Sequence, residues 1–275
     1  KVEDLLRGVV VQSGNDACIV LAEGISGSER VFAEEITALG KKIGLKDSSF
    51  TNSTGWPDPD HYMTARDLAT LSIRLIRDFP EHYKVYAERS FAHNGITQGN
   101  RNPLLYKDLG VDGIKTGHTQ EAGYGLAASA KRGERRLVLV VTGLKSMNER
   151  SRETERLLEW GFREFNNYAL FKAGEKVADA DVWLGVGPKV PLLIGDNVTL
   201  TLPRGARKDM KVKYSYRGPI AAPIAKGQPI AKLTISVPGR PPLEYPLVAG
   251  ESVEGLGLAG RLKAALRHIL WGESG

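Results

Sequence analysis

Residues 112–130 read DGIKTGHTQEAGYGLAASA, and they place an ammonium, a hydroxyl and a bare backbone, Lys115, Thr116 and Gly117, at the mouth of an apolar run. None of the three gains anything by burial in a core. GYGLAASA from Gly123, the turn-like KRGERR from Lys131 and LVLVVTGL from Leu137 predict two strands of a hairpin. The second strand is apolar throughout, so it is expected to be buried on both faces.

A helical pattern follows in NERSRETERLLEWGFREFNN, residues 148–167. Helices also precede the hairpin. SGSERVFAEEITALGKKIGL, residues 26–45, carries a capping box at Ser26 and Glu29. Phe32, Ile36, Leu39 and Ile43 follow at helical spacing, with Gly40 and Gly44 as stop signals. TARDLATLSIRLIRDFP, residues 64–80, repeats the design with a box at Thr64 and Asp67, a stripe of Leu68, Leu71 and Leu75, and Pro80 as terminator. Helices, hairpin, helix is the order of an α+β domain with segregated layers.

Past Tyr168 the pattern changes. VWLGV, VPLLIG, NVTLTLP, MKVKYSY, KLTISVP and LEYPLVA are short apolar stretches separated by Gly, Pro and Asn, the signature of a small all-β sandwich or barrel. The expected domains are 1–166, 167–253 and a tail, 254–275. In the tail Leu258, Leu262, Ala265, Leu266, Ile269 and Leu270 form one stripe, Arg261, Lys263, Arg267 and His268 lie off it, and Trp271 stands near its end. That is either a helix docked on the β domain or an amphipathic anchor in a membrane interface, and its place after the last strand favours the anchor.

The 275 residues are 41% hydrophobic and 25% charged, which excludes a disordered chain. A net charge of +6 is spread along the sequence among acidic residues, and neither zinc-finger spacing nor an RNA-binding aromatic run accompanies it, so nucleic acid is not the expected partner. Cys18 is the single cysteine; it excludes an intrachain disulfide and reads as a small buried hydrophobe. No apolar run approaches membrane-spanning length. The chain opens on Lys1 with neither an initiator methionine nor a secretory leader, so sequence upstream of it is expected.

GLGLAG, residues 255–260, matches the dinucleotide fingerprint in letters but lacks the strand and acidic residue that follow it there. The five histidines form no metal-ligand pair, and neither metal nor cofactor is expected.

The Lys115-Thr116-Gly117 triplet has its own logic. A strand edge bearing Lys and Thr, followed by a glycine that admits another backbone, can hold a peptide carboxylate while the peptide pairs as an extra strand. Lys-Thr-Gly belongs with Ser-x-x-Lys and Ser-Asp-Asn, the last sought here in the looser form Ser-x-Asn, in β-lactamases and penicillin-binding proteins. Ser13-Gly14-Asn15 supplies a Ser-x-Asn before an apolar helix; Ser146-Met147-Asn148 also matches, and a helix cap would look the same. Ser-x-x-Lys does not occur in these residues.

VVVQSGNDACIVLAE from Val9, TGWPDPDHYMTARDLA from Thr54, NRNPLLYKDLGVDGIKTGHTQEAGYGLAASA from Asn100 and LLEWGF from Leu157 resemble the low-molecular-mass penicillin-binding proteins that act as D-alanyl-D-alanine carboxypeptidases. The resemblance runs over essentially the whole chain. It implies a penicillin-binding, β-lactamase-like domain, a β-rich second domain and an amphipathic C-terminal helix. It further implies that the serine nucleophile lies upstream of this chain, which would then be the C-terminal portion of the enzyme.

By the same resemblance Ser13 relays a proton to the leaving D-alanine, and Asn15 holds the substrate carbonyl and positions a catalytic lysine. Lys115 raises the local positive potential, Thr116 and Arg101 bind the terminal carboxylate, and the backbone N–H of His118 is an oxyanion-hole donor beyond Gly117. The implied partners are peptidoglycan stem peptides, β-lactam antibiotics and the inner-membrane surface, and the implied place is the periplasm, on the outer face of that membrane. DD-endopeptidase activity, weak β-lactamase activity and a non-catalytic scaffold remain as alternatives.

Overall fold

The structure is a computed structural model that describes residues 1–263, and it divides between Arg163 and Glu164 into two compact units. The first begins with helix α1, Val2–Arg7, which runs into a π turn, Gly8–Gln12, and then α2, Asn15–Ser26, and α3, Glu29–Ile43. A two-residue ribbon, β1 Ser48–Ser49 with β2 Tyr62–Met63, leads to α4, Ala65–Asp78, and α5, Pro80–Tyr83. A second ribbon, β3 Ser90–His93 with β4 Ile96–Gly99, precedes the main sheet of β5 Val111–Thr119, β6 Gly123–Arg132 and β7 Arg135–Leu144. Helix α6, Met147–Glu164, closes the unit.

The expected hairpin is β6 and β7, turning through Gly133 at φ +59°, where a side chain would strain the backbone. The sheet order is β5-β6-β7, so β5 and β7 are its edges. Its two faces serve different layers. Leu137, Leu139 and Val141 pack with Leu104, Leu126, Ala128, Leu158 and Phe162 of the α6 side, while Val140 packs with Tyr83, Ile114, Leu75 and Ile76 on the α4 side. Burying a leucine such as Leu158 contributes about 1.5–3 kcal/mol. The continuous apolar run of β7 therefore meets apolar neighbours on both faces, and Leu137 to Val141 are half-buried, β7 having β6 as its one strand partner among the described residues.

The helix starts need one correction. Ser28, not Ser26, caps α3: its Oγ accepts the N–H of Val31 at 3.3 Å. Ser26 closes α2, Gly27 turns the chain at φ +77°, and the Ser26 hydroxyl goes to Glu35. Glu29 turns away to the loop at Ser53. At α4 the cap is Thr64, whose Oγ1 accepts from Asp67 N–H at 3.2 Å. The carboxylate of Asp67 does not return to Thr64; it accepts from Asp47 N–H and Ser48 Oγ, both at 2.7 Å. The helical stripes are shallower than their spacing implies, with Leu39 and Leu71 exposed and Ala33, Gly40 and Ser72 buried in their stead.

Helix α6 stops at Glu164 where the pattern extends to Asn167; Phe165-Asn166-Asn167 instead begins a strand, because their backbone pairs with residues 201–203. This second unit holds β8 Phe165–Phe171, β9 Lys176–Trp183, β10 Lys189–Ile194, β11 Val198–Pro203, β12 Lys211–Ser215, β13 Ile220–Ala221, β14 Pro229–Ser236 and β15 Leu243–Ala249. A six-stranded sheet ordered β12-β14-β15-β10-β9-β13 faces the pair β11-β8 across one core. Alternate residues Val198, Leu200 and Leu202 enter that core with Val190, Leu192, Leu233, Ile235 and Leu247, the period-two pattern of a sandwich. Residues 258–263 are helical, and the rest of the expected amphipathic helix, with Ala265, Leu266, Ile269, Leu270 and Trp271, lies outside the described residues. Among the described residues no helix is long and apolar enough to cross a membrane.

Candidate active site

Two segments far apart in sequence build the site. The first is the π turn. Ser13 N–H bonds to Val9 O and Gly14 N–H to Gly8 O, both at 3.1 Å, and this wraps the chain until Ser13 sits at φ 61°, ψ 42°. A left-handed serine is an uncommon conformation that surrounding structure must impose. Val11, fully buried, and the bonds Arg101 N–H to Val11 O and Gln12 Nε2 to Gly99 O do so, and they tie the turn to the segment carrying Arg101. Asn15 then opens α2.

The second segment is β5. Buried Asn102 donates from Nδ2 to Gly113 O at 3.1 Å and accepts at Oδ1 from Leu104 N–H. One residue earlier Asp112 takes Tyr83 Oη at 3.0 Å and Arg136 at 2.7–2.8 Å. With the strand clamped at 112–113, Lys115 projects toward the turn and its Nζ donates to Ser13 Oγ at 2.6 Å and to Thr116 O at 3.0 Å. Burial, and then the positive charge of Arg101 and of Arg150, bring the Lys115 ammonium down to about 8.

Ser13, Asn15, Arg101, Lys115, Thr116, Gly117 and His118, every site residue expected from the sequence, line one cleft of about 1240 Å³. The edge position of β5 leaves its outer backbone groups without a strand partner in the sheet. Among the described residues, apart from its two chain neighbours, nothing lies within 4 Å of where a Cβ on Gly117 would stand, so a ligand backbone can approach there. His118 is exposed and stacks on Tyr124 at 3.8 Å between ring centroids. The arrangement can orient a carboxylate, accept an extended peptide along β5 and move a proton between Ser13 and Lys115.

Cys18 and Arg150 are among the lining residues that the sequence reading did not place at the site. Cys18 is half-buried on the cleft wall, not sealed in the core, because the first turn of α2 borders the site. Arg150 is 5% exposed, yet among the described residues its Nε has no hydrogen-bond partner, and Nη1 reaches only Gly117 O at 3.5 Å. Its guanidinium stands 5.7 Å from the Tyr124 ring, and burial lowers its pKa. A signal existed: Arg150 begins the i, i+4 series Arg150, Thr154, Leu158, Phe162 that α6 buries. A charge on the buried stripe of a helix marks an interior anion site or a buried pair. Among the described residues no carboxylate bonds to it.

A family model described as D-alanyl-D-alanine carboxypeptidase matches residues 1–146, and one described as the C-terminal domain of penicillin-binding protein 5 matches residues 165–255. The chain is 41% identical over 263 residues to D-alanyl-D-alanine carboxypeptidase DacC of Escherichia coli, covering 95% of itself and 66% of that protein. Penicillin-binding protein 5 of Haemophilus influenzae superposes with a TM-score of 0.81 at 40% identity, over 91% of this chain and 74% of that one. The ampicillin-bound form of penicillin-binding protein D2 from Listeria monocytogenes superposes at 0.56 and 31% identity, over 59% of this chain and 68% of that one. The chain thus spans about two thirds of the length of the curated relatives it matches.

Proposed function

The chain belongs to the D-alanyl-D-alanine carboxypeptidase family, and we propose that the whole protein removes the terminal D-alanine from peptidoglycan stem peptides through a serine acyl-enzyme. The observation that carries this reading is the 2.6 Å bond from Lys115 Nζ to Ser13 Oγ, which joins the Lys-Thr-Gly and Ser-x-Asn motifs across the cleft.

In this reading the terminal carboxylate docks at Thr116 under the cations of Arg101, Lys115 and Arg150, and the peptide runs along the β5 edge. The Asn15 amide holds the scissile peptide's carbonyl neighbour, and the backbone N–H of His118 is one donor of the oxyanion hole. The nucleophile is the serine of a Ser-x-x-Lys, which we place in the third of the relatives' length that this chain does not span. The lysine of that motif takes up the serine proton, the resulting alkoxide adds to the D-Ala-D-Ala carbonyl, the tetrahedral intermediate expels D-alanine, and Ser13 relays the proton from that lysine to the leaving amine, with Lys115 holding the Ser13 hydroxyl in line. Water then hydrolyses the ester. The ampicillin-bound relative supports β-lactams as mimics that stop at this ester.

A peptidoglycan substrate supports a place in the periplasm, at the outer face of the inner membrane. The start of the tail supports peripheral attachment there: Leu258 and Leu262 are exposed apolar residues beside Arg261 and Lys263.

The test is release of D-alanine from a peptide ending in D-Ala-D-Ala by the whole protein, with fluorescent penicillin labelling in parallel. Release and labelling are expected, and both fall in Lys115→Ala. A whole protein that folds but neither labels nor releases D-alanine would leave the scaffold reading in place of the enzyme.

A further inference from the structure

Trp56 is 66% exposed and lies on the wall of the same cleft, beside Pro57. An isolated exposed indole is ordinary; the loop that presents this one is not. Asn52 Oδ1 accepts the backbone N–H groups of Thr54, Gly55 and Trp56 at 3.2, 2.7 and 3.1 Å. Its Nδ2 donates back to Trp56 O at 3.0 Å. One side chain therefore fixes both backbone groups of the tryptophan. The neighbouring Ser53 is held from a different element, since Glu29 of α3 accepts its N–H at 3.0 Å and its Oγ at 2.6 Å. Gly55, at φ +78°, supplies the reversal that aims the ring outward.

Among the described residues nothing covers the ring, and its backbone is fixed before any ligand arrives, which removes the ordering cost a flexible loop would add to binding. What it meets follows from the rest of the cleft. Lys115, Arg101 and Arg150 fix the carboxylate end of a bound peptide. Met147, the other large exposed hydrophobic on the cleft wall, belongs to that end, because it is three residues from Arg150 on α6. Trp56 comes from the segment between α3 and α4 and is left for the acyl half of the substrate. An indole face beside a proline offers apolar area and no charge, so it suits an aliphatic chain.

We propose that Trp56 is a specificity-determining residue that packs against the aliphatic side chain of the residue preceding the terminal D-alanyl dipeptide. This rests on the carboxypeptidase reading above. The test uses the whole protein and two tripeptides ending in D-Ala-D-Ala, one beginning with Nε-acetyl-lysine and one with glycine. The wild type should prefer the long side chain by about tenfold in kcat/KM, the discrimination that a few buried methylenes give. In Trp56→Ala that preference should fall to near one, and Trp56→Phe should restore most of it. An equal loss on both tripeptides, or an undiminished preference in Trp56→Ala, would overturn the assignment while leaving the carboxypeptidase intact. Failure of the wild type to cleave either tripeptide would instead remove the carboxypeptidase reading, and this one with it.

Discussion

Replacing Arg150 by methionine should separate stability from activity. Among the described residues the guanidinium is almost wholly buried, has an unbonded Nε, and makes only a marginal contact with Gly117 O. Among the described residues its favourable interaction is with the Tyr124 ring, at 5.7 Å, for which about 2 kcal/mol is typical once the pair is desolvated. Against that stands the cost of burying an uncompensated charge, and a methionine of similar reach fills the space without it. The expected stability of Arg150→Met is therefore equal to or above that of the wild type, and a gain of about 1 kcal/mol would raise Tm by roughly 2–4 °C in a protein of this size. Activity should move the other way. Losing one partner of a buried charge pair with the substrate carboxylate costs about 2–5 kcal/mol, or roughly 30-fold or more in kcat/KM at the low end. Calorimetry gives the first quantity, and D-alanine release from acid- and amide-terminated peptides gives the second, with discrimination between acid and amide lost in the variant. A Tm several degrees lower with kcat/KM within twofold of wild type would show that Arg150 is a packing residue, and the carboxylate site would have to be drawn without it.

Two further outcomes follow from the same geometry. With Lys115 lowered from 10.5 to about 8, the folded protein sheds that proton before the unfolded chain does, so the burial penalty is fully present below pH 8 and is relieved as pH rises from about 8 to 10.5. Unfolding titrations should show the wild type gaining on Lys115→Met across that window, and kcat/KM should fall through pH 8 as the ammonium is lost, a limb that Lys115→Arg moves upward; a profile flat to pH 10 in the wild type contradicts a functional ammonium. At the start of α3, Ser28→Ala should cost about 1 kcal/mol in denaturant unfolding, whereas Ser26→Ala, which removes only an exposed hydroxyl contact with Glu35, should stay within about 0.5 kcal/mol, and the reverse order would restore Ser26 as the cap.

What could be read from the sequence and what could not differ in a physical respect. Lys115, Thr116 and Gly117 are conspicuous because their chemistry is out of place in their own strand, and that contrast is complete within a few residues. The hairpin, the Thr64 cap and the strands of the second unit are likewise local patterns, and each appears in the fold. Ser26 and Ser28 are two residues apart and chemically identical, so only the position of the Gly27 reversal, set by where α2 ends, decides between them. The depth of β7 is not local at all: an apolar run reports that both faces meet apolar layers, but edge or centre is decided by which other strand lies alongside. Arg150 combines the two cases. Its charge was out of place on a stripe continued by Thr154, Leu158 and Phe162, which is a local signal, but what the charge is for depends on Gly117 and Tyr124 from the other side of the sheet turn. Trp56 was not singled out from the sequence, and its loop depends on Glu29, a residue that capping logic assigned to its own helix. A side chain that breaks the pattern of its own element is thus the sign to look for, and the partner it leaves its element to meet gives its function.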